Sequence, residues 1–248
     1  LVLAALVASR GLPGFWLELS GALGLLALGI FMARRIRETG EVTLAAVVGR
    51  FYGERVRRVA AVLVVLAEIV WFALLAQATE TVVTALTDWD GTVVLVATAA
   101  LFIAYTSLGG QRAVVRTDLL QLGLMVAGIV GVALPLALAS LARTGWPREL
   151  LSFPVGARFG WADAGALLVL VGLPHAVGSD VWAKLLSARD AATARRAALG
   201  AAAAKLVFGA AVVVIALAGV GLGLGGAAQS LFPATVRELA GPLLSPLL

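Results

Sequence analysis

Apolar runs close to twenty residues long recur along this chain, and clusters of arginine separate them. A hydrocarbon core about 30 Å thick takes about 20 residues of helix to cross. Backbone groups in that setting must bond within the protein, which leaves helices and closed barrels as spanning structures. Runs this long, without polar alternation, select helices. Of 248 residues 61% are hydrophobic and only 13% charged, where a soluble domain carries about a quarter. The mean hydropathy is +1.03. The fold class read from this is all-α, a polytopic transmembrane helix bundle.

Cysteine is absent, so disulfides and thiolate metal sites are excluded. One histidine and no cysteine also leave few constellations for metal or nucleophilic catalysis, and no enzyme activity is expected. A net charge of +5 and a pI of 10.7 do not point to nucleic acid, because the basic residues sit at the ends of apolar runs. That placement is a topology signal.

In chain order, Leu1–Ser9 reads as the tail of a helix whose beginning is missing, with neither the basic region nor the cleavage site of a signal peptide. The chain is expected to be one transmembrane domain, residues 1–248, truncated at both ends. Spanning helices are predicted over about 14–33, 56–86, 92–108, 117–141, 164–188 and 194–223, with a short interfacial helix over 43–52 ended by Gly53. Gly109-Gly110 is a turn signal, Thr117 or Asp118 can cap the helix that follows, and Pro135 is expected to kink it. Gly172–Asp180 (GLPHAVGSD) interrupts the fifth helix: Pro174 lacks a backbone donor and Gly172 and Gly178 weaken the helix around it.

Alternating the loops across a membrane puts thirteen basic residues on one side, Arg34 to Arg58, Arg112, Arg116 and Lys184 to Arg196, and five on the other. The positive-inside rule assigns the first side to the cytoplasm. Trp16, Trp89, Trp146 and Trp161 then gather near the opposite face, as an aromatic belt would. A multi-pass protein of a bacterial plasma membrane is expected, with the lipid bilayer as its surroundings.

Three motifs carry a resemblance. The stretch from Tyr105 to Met125 reads GG-x-R-A-V-x-x-T-D-x-x-Q between two apolar runs; Val42–Leu63 contains R-F-Y-G, with Ala45 and Ala46 where a proline and glutamate are usual; Trp182–Leu206 carries L-x-x-R-D-x-x-x-A-R before a helix with one lysine. Together they resemble the sodium:solute symporter family. That family is similar to the leucine-transporter fold, two inverted five-helix repeats with discontinuous helices at the centre. The resemblance implies alternating access, sodium as the coupling ion and a small polar solute, with no other cofactor. It places the sodium ligands on helices outside this chain, so no cation ligand is named. A symporter-like sensory module of a signalling protein, or a proton-coupled or cation-independent permease, are the alternatives.

Under that registration the interrupted helix is a binding segment. Ser179 and Asp180 then face a solute, although Asp180 can equally cap the resumed helix. His175 can bind solute, relay a proton or simply pack. Glu18 matches the spacing of a substrate-binding carboxylate in sugar-carrying members of the family, and Lys205 sits where those members place a substrate-contacting lysine. Rises of 1.5 Å per residue leave about 10 Å between their depths, room for a solute. The other reading of both is snorkelling or an ion pair. Gln77, Glu80, Thr81 and Thr84 form one stripe, with Glu68 on the opposite side as a neutral, hydrogen-bonded acid. Asp118 and Gln121 are expected at the cytoplasmic mouth, capping or bonding the hairpin.

Overall fold

The structure is a computed structural model that describes residues 1–224 and 230–244, with side chains described except at 85, 86, 105, 109–115 and 242–244. Its helices are α1 (Val2–Arg10), α2 (Trp16–Ala27), α3 (Ala33–Glu38), α4 (Leu44–Tyr52), α5 (Glu54–Leu86), α6 (Gly91–Met125), α7 (Leu134–Thr144), α8 (Trp161–Leu167), α9 (Leu173–Val177), α10 (Ser179–Leu186), α11 (Ala191–Gly221) and α12 (Leu231–Leu244). Wider, π-helical runs at Leu28–Met32, Val126–Ala133 and Leu168–Gly172 join α2 to α3, α6 to α7 and α8 to α9. Among the described residues, six stretches are long and apolar enough to cross a membrane.

Local chemistry accounts for the helix ends. Thr43 caps α4 by accepting the Ala46 N–H at 3.1 Å, and Asp90 caps α6 through Val93 at the same distance. α4 ends at Gly53, φ +85°, where a side chain would be strained. Asp190 starts α11. Its Oδ1 accepts the Thr193 N–H at 2.7 Å, and this bond, with Thr193 and Arg189 side chains beside it, holds the carboxyl down to about 2. The cap is therefore charged at neutral pH.

Two expectations change. The Gly109-Gly110 pair does not make a turn: backbone helix continues from Gly91 to Met125, and Thr117 and Asp118 do not begin a helix. Glycine weakens a helix by about 1 kcal/mol relative to alanine but keeps its N–H, so it permits a break without forcing one. Side chains at 109–115, Arg112 among them, lie outside the described residues. Pro135 sits in the first turn of α7, directly after the Val126–Ala133 run. The missing donor is thus absorbed where the hydrogen-bond ladder has already widened.

The chain divides into two compact units. The first comprises Leu1–Gly14, Phe72–Arg158 and Ala210–Leu248; the second comprises Phe15–Trp71 and Phe159–Gly209. In the first, Ala133, Ala137 and Leu141 pack on Ile215 and Ala218 of α11, flanked by Phe232, Val236 and Leu239 of α12. A side chain at Gly219 would meet the Thr235 hydroxyl, so the two helices approach over glycine. Small residues give this closeness, which supplies van der Waals contact where apolar burial supplies little drive.

The second unit is built the same way. Ala22, Leu25 and Leu28 meet Trp182, Leu185 and Leu186 of α10 and Ala194, Ala198 and Ala202 of α11, with Ile36 and Val47 completing the cluster. Trp16 and Trp161 meet edge to face at 6.4 Å, which puts the starts of α2 and α8 at one level. At the other end Arg37 Nε donates to the Ala188 carbonyl at 2.5 Å, joining two of the basic connections assigned to one side. In α11, 44% of the apolar stretch is buried, against 6% in α5. Val62, Leu66 and Ile69 are exposed along α5.

Candidate functional site

The fifth apolar stretch breaks at Gly178, inside the segment Gly172–Asp180 that the sequence marked. Pro174 lies in the first turn of α9, where no N–H is required. Gly178 has extended backbone, φ −61° and ψ 137°; its N–H bonds the Pro174 carbonyl at 2.7 Å and its carbonyl accepts from Trp182 at 3.0 Å. Its φ suits any residue, so crowding selects the glycine: a Cβ would lie 2.7 Å from the Pro174 oxygen and 2.9 Å from Asp180 Oδ1. The break frees the Ala176 carbonyl, and the indole Nε1 of buried Trp182 donates to it at 3.0 Å. A polar group orphaned at membrane depth is thereby satisfied.

Beside the break lies a cleft of about 230 Å³, walled by Ala67, Glu68 and Trp71 of α5 and by Pro174, His175, Gly178, Ser179, Asp180 and Val181. A second cleft of about 460 Å³ shares Glu68, Ser179 and Asp180 with it and extends to Thr43 and Leu44. The Ser179 hydroxyl donates to Glu68 Oε1. Glu68 therefore has a partner, as the sequence suggested, but that partner is on the broken helix and the acid lines both clefts. Asp180 stands in the first turn of α10 without capping it. The alternative role read from sequence is not adopted, and the carboxylate is exposed.

His175 joins this cleft to the interior. Its Nδ1 lies 2.8 Å from the Val171 carbonyl, which makes that nitrogen the donor and leaves Nε2 as acceptor in the neutral ring. Nε2 sits over Gly21, 3.1 Å from where a Cβ would be.

Glu18 and Lys205 occupy neither of these two clefts. Lys205 Nζ contacts Glu18 Oε2 at 2.7 Å, with side chains 23% and 18% exposed. The solute-sized gap of about 10 Å between their depths is closed by the pair itself. A long lysine stem spans the difference, and an unpaired ammonium at that depth is costly. Gly21 and Gly209 make room for it: a Cβ at Gly21 would fall 2.3 Å from Lys205 Cε, and one at Gly209 would fall 2.7 Å from Glu18 Cγ.

The structure thus gathers His175, Ser179 and Asp180 at one cleft and couples Glu18 to Lys205 next to His175. Sequence reading missed Trp71. It lies three residues after Glu68, one helical turn, so the 3.6 periodicity held the signal. In the α5 stripe Thr81 and Thr84 donate to their own helix at the Gln77 and Glu80 carbonyls. Asp118 and Gln121 line a separate cleft with Thr79 and Phe102, wholly within the first unit. Among the described residues no group of three or more histidines and carboxylates stands ready for a metal.

Six apolar stretches, one of them broken around acidic and hydroxyl side chains, mark a multi-pass membrane protein. The model of the sodium:solute symporter family matches residues 1–145, and the chain belongs to that family. Among curated proteins it is 26% identical over 184 residues to high affinity choline transporter 1 of Homo sapiens, covering 69% of this chain and 31% of that one. The Caenorhabditis elegans high-affinity choline transporter 1 is 27% identical over 188 residues (73% and 32%), and the Torpedo marmorata protein 28% over 184 (70% and 31%). Family and relatives are transporters, not enzymes. The chain spans about a third of the length of the curated relatives it matches.

Proposed function

We propose that the chain belongs to a sodium-coupled symporter working by alternating access, and that its solute is a small organic cation of the choline type. One observation carries the choice of solute: Glu68, Trp71 and Asp180 converge on the cleft at the Gly178 break. An indole face with nearby carboxylates suits a methylated ammonium, which the ring attracts through its quadrupole. Lys205 is neutralised by Glu18 and lines neither cleft at the break, so its charge does not oppose a cation there. The choline transporters among the relatives support the same class. His175 and Ser179 would orient the solute, and the Glu18–Lys205 pair would hold the helices behind them. Sodium coupling rests on the family.

Uptake of radiolabelled choline by proteoliposomes containing the complete protein tests this reading. A sodium gradient is expected to drive uptake that an equal potassium gradient does not. Trp71→Ala is expected to weaken apparent affinity about tenfold, in line with a desolvated cation–π contact, and Asp180→Asn at least as much. Choline uptake indifferent to both substitutions, or to sodium, would defeat it.

A further inference from the structure

The connections gathered at one end of the second unit form a basic surface that the solute cleft does not use. Residues 33–58 and 184–196 together hold eleven arginines and lysines against four acids. Their elements touch: Arg50 of α4 donates to the Thr39 carbonyl after α3 at 2.5 Å, Gly49 lies against the Arg57 side chain of α5, and Arg37 reaches Ala188. Some of the charge is spent internally, with Arg34 on Glu38 at 2.7 Å, Arg57 on Glu54 at 2.8 Å and Arg189 on Asp190 at 3.1 Å. Among the described residues Arg35, Arg55, Arg195 and Arg196 have no such partner, Arg58 acts on Glu54 only through space, and all five are exposed. At the end of α4, Phe51 and Tyr52 are 68% and 73% exposed, beside Arg50 and Arg55.

Unpaired guanidinium groups beside outward aromatic rings, where spanning helices leave the hydrocarbon, match a membrane interface in both charge and polarity. We propose that this surface binds the headgroups of anionic phospholipids in the cytoplasmic leaflet, with Arg35, Arg55 and Arg58 taking phosphates and Phe51 and Tyr52 lying at headgroup depth. The surface acts whatever the transporter carries.

Titration of phosphatidylglycerol and phosphatidylcholine into the detergent-solubilised full chain, with retained lipid counted by native mass spectrometry, tests it. Each arginine near an anionic surface is worth enough that the triple variant R35Q/R55Q/R58Q is expected to bind phosphatidylglycerol on the order of a hundredfold more weakly. R35K/R55K/R58K keeps the charge and is expected to stay within a few-fold of the unaltered chain. R143Q/R148Q/R237Q removes the same charge elsewhere and is expected to change nothing. Undiminished phosphatidylglycerol binding by the glutamine triple overturns the proposal. So does an equal loss in the lysine triple or in the control triple, since each would point away from local charge.

Discussion

Lys205→Met is expected to cost the folded bundle about 3 kcal/mol, while Glu18→Leu/Lys205→Met together should return it to within about 1 kcal/mol of the unaltered chain. The pair sits at 2.7 Å with less than a quarter of either side chain exposed. Removing the lysine leaves the Glu18 carboxylate beside apolar helix and Gly209, with no cation to answer it. Removing both charges takes away the attraction and the desolvation penalty at once, and those nearly offset each other for buried pairs. Unfolding midpoints of the four proteins form a double-mutant cycle in which the interaction energy is the deviation from additivity. A double variant as unstable as the sum of the singles would mean that each group acts through some other neighbour.

Gly24→Ala should be as damaging, for a steric reason. A Cβ there would lie 2.1 Å from the Gly172 carbonyl oxygen and 3.0 Å from the His175 Cβ. The carbonyl belongs to the backbone at the end of the Leu168–Gly172 run, so relief requires α2 to move away from the broken helix rather than one side chain to rotate. Overpacking of this kind costs about 3 kcal/mol or more. Gly165→Ala provides the contrast. No heavy atom lies within 4 Å of its added methyl, and alanine should stabilise α8 by up to about 1 kcal/mol. Thermal midpoints of the two purified variants are expected to move in opposite directions.

The apolar stretches were legible because length and composition alone decide them in lipid, although the two read at 92–108 and 117–141 fall on one continuous helical run. The short α4 was legible too, since Thr43 and Gly53 mark its ends chemically. Contacts between helices were less visible. The interruption within Gly172–Asp180 was legible, but not the residue at which it falls: the chain parts at Gly178, where crowding by the Pro174 carbonyl and Asp180 selects glycine. Gly109-Gly110 carried a true local weakness, but a weakness does not break a helix whose neighbours continue it. Trp71 was passed over because a lone tryptophan in an apolar helix reads equally as a lipid anchor; only the approach of the broken helix gives it a cleft to line. Glu18 and Lys205 were separated by counting backbone rise, which ignores how far a lysine stem reaches.

The transport proposed for this cleft requires above all that the break at Gly178 open onto water between acidic side chains. The absence of cysteine from residues 1–248 lets this stretch itself, purified as such, carry each introduced thiol as its one reporter. Ser179→Cys, on both clefts, and Leu170→Cys, 71% exposed on the preceding apolar run, are to be compared in proteoliposomes with a membrane-impermeant thiosulfonate. Such reagents attack the thiolate, which forms only where water reaches the sulfur. Labelling at the Ser179 position is expected to proceed at least about tenfold faster than at the Leu170 position. Equal inertness of the two would place the Gly178 break in lipid or in sealed protein, and would contradict a watery cleft there.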